Sequence, residues 1–108
     1  MRIETRGHQI DVTPALRDYV NAKFDRLDRY SDGDLEIHVV LSVSKLLHKV
    51  EAKIDTRGAT HFADCEADTM YAAIDLLADK LDRMLDKHKG KQIRHHRGEG
   101  IARNESFG

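Results

Sequence analysis

A single cysteine, a single proline and 6% aromatic residues in a chain of 108 leave several protein classes without their raw material. With Cys65 alone, no intramolecular disulfide framework can form, and such sparing use of cysteine fits a reducing compartment. No apolar run approaches the roughly 18 residues of a membrane-crossing helix. The N-terminus, Met1-Arg2-Ile3-Glu4-Thr5-Arg6, lacks the apolar centre of a secretory leader. Catalytic signatures are missing as well: there is no G-x-S-x-G, no phosphate-cradling glycine loop and no C-x-x-C. Net positive charge is also lacking, the formal value being −1. What is there, 40% hydrophobic and 34% charged residues, is the composition of a soluble globular protein. A chain of this length buries roughly 65% of its unfolded surface around one core. The expectation is a cytoplasmic, soluble, single-domain protein with no membrane partner and no small-molecule substrate.

The charge is unevenly distributed. Residues 1–86 hold 12 Lys/Arg against 17 Asp/Glu, whereas residues 87–108 hold 6 against 2. Such asymmetry points to a polyanionic partner; the plainer reading is a solvated basic tail.

Periodicity gives the organisation. Ile3 and Thr5 alternate with Arg2, Glu4 and Arg6 in a short strand that stops at Gly7. Thr13-Pro14 starts a helix, the threonine as N-cap and the proline where no donor is needed. Leu16, Val20, Phe24 and Leu27 then recur at helical spacing as far as Tyr30, before the turn cluster Ser31-Asp32-Gly33-Asp34. Leu35, Ile37, Val39, Leu41 and Val43 alternate with mostly polar residues in a long strand. A bend near 44–47, a strand through Val50, Ala52 and Ile54, a turn at Arg57-Gly58 and a short strand over 60–66 follow. In that last strand His61, Ala63 and Cys65 point inward and Phe62 outward. Asp68 is the predicted N-cap of a second helix, carried by Met70, Ala73, Ile74, Leu77, Leu81, Met84 and Leu85 and stopped at Gly90. The order β-α-β-β-β-α predicts an α+β two-layer sandwich: a mostly antiparallel four-stranded sheet with two helices on one face. Its open face would carry Glu36, His38, Lys49, Glu51, Lys53, Asp55 and Arg57. Residues 1–90 form the domain on this reading, and residues 91–108 a flexible basic tail.

The helices sort their charges. On a wheel of about 100° per residue, Lys80, Arg83 and Lys87 fall between about 220° and 280°, and Asp75, Asp79, Asp82 and Asp86 between about 120° and 180°. Solubility alone is better served by interleaved i,i+4 pairs. On the first helix, Lys23, Arg26 and Arg29 likewise stand apart from Asp18, Asp25 and Asp28, with Tyr19 and Tyr30 beside the basic stripe; Arg17 breaks the pattern. Cations with neighbouring aromatics suit a phosphate backbone. The competing reading is that the basic stripe of one helix pairs with the acidic stripe of the other. Lys87-His88-Lys89-Gly90-Lys91, then Arg94, His95, His96 and Arg97, extend the basic run beyond what matching the helix dipole requires.

No enzyme emerges. His8, His38, His48 and His61 share no ligand-like spacing, so neither a metal site nor any cofactor is expected. Cys65 has no sequence-local activating partner, and the carboxylates of the second helix occupy an open convex face.

Two stretches carry a resemblance. Residues Asp11 to Phe24, DVTPALRDYVNAKF, and the string D-x-M-Y-A-A-I-D from Asp68, with Asp79-Lys80-Leu81-Asp82-Arg83 and Lys87-His88-Lys89 after it, resemble the two helices of the ribosome hibernation promoting factors. The resemblance runs from residue 1 to about residue 91, and these proteins have also been labelled sigma-54 modulators. It implies the same fold, similar to double-stranded RNA-binding domains. It further implies binding of the small ribosomal subunit in the messenger and tRNA channel, blocked translation and stabilisation of inactive, often dimeric, ribosomes in stationary or stressed cells. It carries RNA-facing roles onto Lys23, Arg26, Lys80, Arg83, Lys87, His88, Lys89 and Lys91; the wheel adds Arg29. A chain ending at 108 looks like the short form, which acts alongside a separate ribosome modulation factor, and the free protein is expected to be monomeric. The basic tail favours the promoting group over the related ribosome-associated inhibitors. The alternatives are a general double-stranded RNA-binding module and a sigma-54 transcription modulator.

Overall fold

A computed structural model describes the backbone of residues 1–30, 34–56 and 58–101 and the side chains within that range as far as Lys87. The elements are β1 (Arg2–Gly7), α1 (Pro14–Phe24), a 3-10 segment (Asp25–Tyr30), β2 (Glu36–Ser44), β3 (Leu47–Thr56), β4 (Ala59–Ala67) and α2 (Met70–Ile101). The strands form one sheet in the order β1-β2-β3-β4. β1 runs parallel to β2, reached through the α1 crossover, and the other two pairings are antiparallel. The α+β sandwich expected from the alternations is therefore the fold.

The alternating strand pattern puts Ile37, Val39 and Leu41 of β2 and Val50, Ala52 and Ile54 of β3 under the helices. Val20, Phe24 and Leu27 come down from the first helical segment, and Ile74, Leu77, Leu81 and Leu85 from the second; all of these are buried. Phe62, on the opposite parity of β4, stands 71% exposed on the open face.

Local chemistry fixes the ends. Thr13 has extended dihedrals and its Oγ1 accepts from the Leu16 N–H at 3.2 Å, with Pro14 in the first turn. At α2 the cap is one residue later than expected: Thr69, not Asp68, accepts from the Ala72 N–H at 3.1 Å. The first helix tightens to 3-10 geometry from Asp25 instead of staying α-helical to Tyr30. Gly90 does not stop α2, which runs to Ile101. One glycine costs a helix interior about 1 kcal/mol relative to alanine, and no proline follows to enforce a stop. The tail expected over 91–108 is thus helical in backbone to residue 101, and residues 102–108 lie outside the described residues, as do the turn residues 31–33 and Arg57. Two glycines are required locally. A Cβ on Gly7 would meet the Ile10 carbonyl oxygen, and Gly58 has φ +83° in the β3–β4 turn. No helix among the described residues is long and apolar enough to cross a membrane.

Candidate nucleic-acid interface

α2 has two charged flanks, and the fold gives them different neighbours. One flank faces the first helical segment. There Lys23 Nζ lies 3.5 Å from Asp75 Oδ1, Arg26 pairs with Asp79, and Arg29 Nη2 lies 2.8 Å from Asp82 Oδ1. Spacings of three on one side and of four and three on the other bring the two stripes into register, so the segments run side by side in one direction, joined by three rungs. Tyr19 and Tyr30 reinforce the ladder from the same side. The Tyr19 hydroxyl donates to Asp75 Oδ1 at 2.7 Å while its ring meets Tyr71 edge to face at 4.8 Å. The Tyr30 hydroxyl donates to Asp82 Oδ1 at 2.9 Å.

The ladder leaves its mark on the titrations. The hydrogen bond to Asp75, and then burial, push the Tyr19 phenol above its ordinary range. Burial first, then the Asp82 hydrogen bond, do the same to Tyr30. The Arg26 guanidinium holds the Asp79 carboxyl below the usual carboxylate range. The pairing of one helix's basic stripe with the other's acidic stripe is therefore real for Lys23, Arg26 and Arg29. The two tyrosines, expected as aromatic neighbours of a phosphate-binding stripe, have their hydroxyls committed within the molecule.

The other flank differs. Lys80, Arg83 and Lys87 are exposed and, among the described residues, have no carboxylate within ion-pair distance. Lys80 overhangs β4, its ammonium donating to the Asp64 carbonyl at 3.2 Å. That contact also blunts an edge strand that would otherwise offer bare backbone acceptors. The side chains of His88, Lys89 and Lys91 lie outside the described residues; their backbone continues the same helix. The result is a cationic flank with a straight helical spacing, open to solvent and, among the described residues, without a close ion pair as far as Lys87; Arg83 feels Asp79 only at longer range. Such a surface suits the phosphates of a folded nucleic acid.

Nothing else on the described surface resembles a reaction centre. Cys65 is half-buried and its thiol is pushed up by burial, which keeps it protonated and unreactive at neutral pH. The histidines expected to be scattered are scattered along the chain, but one of them, His38, acquires acidic neighbours across the strands. Sequence spacing misses this because the neighbours come from register.

Residues 3–93 match the family model described as "Sigma 54 modulation protein / S30EA ribosomal protein". A ribosome hibernation promoting factor of Azotobacter vinelandii is 52% identical over 94% of this chain and 95% of its own length. That of Escherichia coli K12 is 42% identical over 88% of this chain and all of its own. Among solved structures, the N-terminal domain of Thermus thermophilus protein Y superposes with a TM-score of 0.76 at 37% identity, covering 82% of this chain and 99% of that one. A ribosomal subunit interface protein from Coxiella burnetii gives 0.74 at 33%, covering 83% and 99%.

Proposed function

We propose a function from one premise: the chain belongs to the sigma-54 modulation protein / S30EA ribosomal protein family. On that premise it is a ribosome hibernation factor, a non-enzymatic protein that binds the ribosome at the subunit interface. It lodges in the messenger and tRNA channel of the small subunit and blocks translation by occupying it. Its place of action is the cytoplasm, where ribosomes are. Recognition is by RNA shape and charge, not by base sequence. The observation that carries the reading is the exposed flank of α2, Lys80, Arg83 and Lys87, which has no close ion pair among the described residues, with His88, Lys89 and Lys91 continuing it along the chain. Lys23, Arg26 and Arg29 form a second tier. They reach RNA by exchanging an aspartate for a phosphate, so each begins from an existing partner. The remaining negative charge, which brings the whole molecule to −1, suppresses indiscriminate sticking to polyanions.

Finer expectations belong to the same reading: a monomeric free protein, a separate modulation factor that pairs the arrested ribosomes, and a domain of residues 1–90 whose C-terminal extension adds cations. One run of ribosome sedimentation with and without the purified chain, scored for both translation inhibition and pairing, tests it. Co-sedimentation with small subunits and loss of translation are expected. Equal affinity for a plain RNA duplex and for small subunits would replace this reading with that of a general duplex binder. Binding that ignores salt would replace it with that of a protein-interaction module, because phosphate neutralisation releases counterions and must weaken as salt rises.

A further inference from the structure

The open face of the sheet, opposite the helices, places three metal-ligating side chains together. Strand register sets Glu36 of β2 directly across from Asp55 of β3, and His38, two residues along β2, directly across from Glu4 of β1. One donor atom each from Glu36, His38 and Asp55 falls within 4.8 Å of the others. Two carboxylates directly opposite on one sheet face repel, so the arrangement is one a cation would relieve.

The histidine stands between two glutamates. Its Nδ1 lies 3.3 Å from Glu4 Oε1, and its Nε2 lies 3.6 Å from Glu36 Oε1. A cation seated between His38 Nε2 and the two carboxylates would leave Nδ1 facing Glu4. With the cation in place, Glu4 would take the Nδ1 proton, the outer carboxylate contact that fixes tautomer and ring angle in metal sites. Donors bonded tetrahedrally at about 2.0–2.2 Å sit about 3.3–3.6 Å apart, which the Nε2–Oε1 separation already matches. Asp55 is steadied by Thr60, whose hydroxyl donates to Oδ1 at 2.9 Å. Two cations border the place, and Lys53, directly across from His38, competes for Asp55. Arg2 is committed to Glu4 at 2.9 Å, and the Lys53 ammonium stands 4.0 Å from Asp55 Oδ2.

We propose that Glu36, His38 and Asp55, with Glu4 orienting His38, bind a zinc-class divalent cation on the open sheet face and clamp β1, β2 and β3 together. One imidazole with two carboxylates suits zinc and its borderline neighbours, whereas magnesium prefers an all-oxygen octahedron. The site lies on the sheet face opposite the helices and stands independently of the function proposed above.

The test is a titration of the full chain with Zn2+, followed through the imidazole NMR resonances and the thermal midpoint, with Mg2+ as the contrast. Zn2+ is expected to shift the His38 Nε2 resonance first and to raise the midpoint by several degrees; Mg2+ is expected to do neither. His38→Ala should abolish the tightest step. Glu4→Gln should weaken it roughly tenfold, as loss of an orienting partner does. Lys53→Met, which removes a competing ammonium beside Asp55, should tighten it. Zn2+ that leaves His38 unmoved, or that binds only histidines in the 88–96 stretch, overturns the proposal, as does equal binding by His38→Ala. All three substitutions are on the solvent face of the sheet, and an unaltered metal-free unfolding transition checks that each variant folds.

Discussion

Lys23, Arg26 and Arg29 on one helical segment and Lys80, Arg83 and Lys87 on the other have nearly the same spacing and the same exposure, yet they live differently. The first three each meet an aspartate of α2; the second three meet none among the described residues. The difference comes from position in the sandwich. α1 has α2 for a neighbour on its basic flank, whereas the basic flank of α2 faces outward past the β4 edge, where the Asp64 carbonyl takes a hydrogen bond from Lys80. A cationic stripe is thus a binding surface or a structural strut according to what the fold sets beside it. On the proposed function, affinity would fall chiefly to one stripe and helix registration chiefly to the other.

The largest effect should come from removing the outward stripe. Lys80→Ala, Arg83→Ala and Lys87→Ala together are expected to weaken small-subunit binding by at least about 100-fold and to flatten the salt dependence by about three phosphate contacts, leaving stability nearly unchanged. The matched triple Lys23→Ala, Arg26→Ala and Arg29→Ala should cost much less affinity and visibly lower the thermal midpoint. Salt-series sedimentation beside thermal melts measures both. Equal affinity losses from the two triples would erase the distinction.

The comparison can also be inverted. Asp75→Asn, Asp79→Asn and Asp82→Asn together release the first stripe from its partners. Binding should then tighten, by roughly tenfold at low salt, with a steeper salt slope, because three further cations become available to phosphates without displacing a carboxylate. An unchanged or weakened affinity in a folded triple variant would mean that the ladder side never approaches RNA.

A smaller effect distinguishes strut from surface by stability alone. Tyr30→Phe removes a partly buried hydroxyl that donates to Asp82 and should cost about 1 kcal/mol, seen as a drop of about 4–8 °C in the midpoint. Arg83→Ala, on the outward flank, should fall within about 0.5 kcal/mol of the parent. Urea unfolding of the two variants side by side settles which flank the fold relies on.

The fold was legible because its signals are local and redundant. Alternation in 35–43 and 50–54, Thr13-Pro14, and the apolar recurrence from Met70 to Leu85 each specify an element without reference to the rest. The stripes were legible too, since a wheel needs only the helix period. Their partners were not. Whether Arg26 meets Asp79 or solvent depends on how two helices lie side by side on a sheet, which no local periodicity encodes; the fold pairs the stripe of the first helical segment and leaves that of α2 without a close carboxylate among the described residues. His38 is the same lesson in a strand: Glu36 is visible two residues away, but Asp55 and Glu4 arrive only through register. The end of α2 lies beyond the expected stop at Gly90 for an energetic reason: one glycine is a weak stop in the absence of proline.

The smallest expected effect is the most specific to the ladder. The Arg26 hydrogen bond lowers the Asp79 pKa below its ordinary 3.8 in the folded state. A carboxyl whose folded value lies below its unfolded one stabilises the fold fully above the unfolded value, and that contribution fades as pH falls through 3.8 and then through the lower folded value. Asp79→Asn has no proton to exchange. The stability difference between parent and Asp79→Asn should therefore be constant above about pH 5, shrink below about pH 4 and disappear at the acid end. Both partners are exposed, so the difference is modest and should contract further in high salt. Urea midpoints of the two proteins from pH 7 down to acid, at low and high ionic strength, trace the curve. A gap that persists unchanged in acid would mean that Asp79 matters through packing, and the Arg26 rung would then hold the helices by shape, with charge incidental.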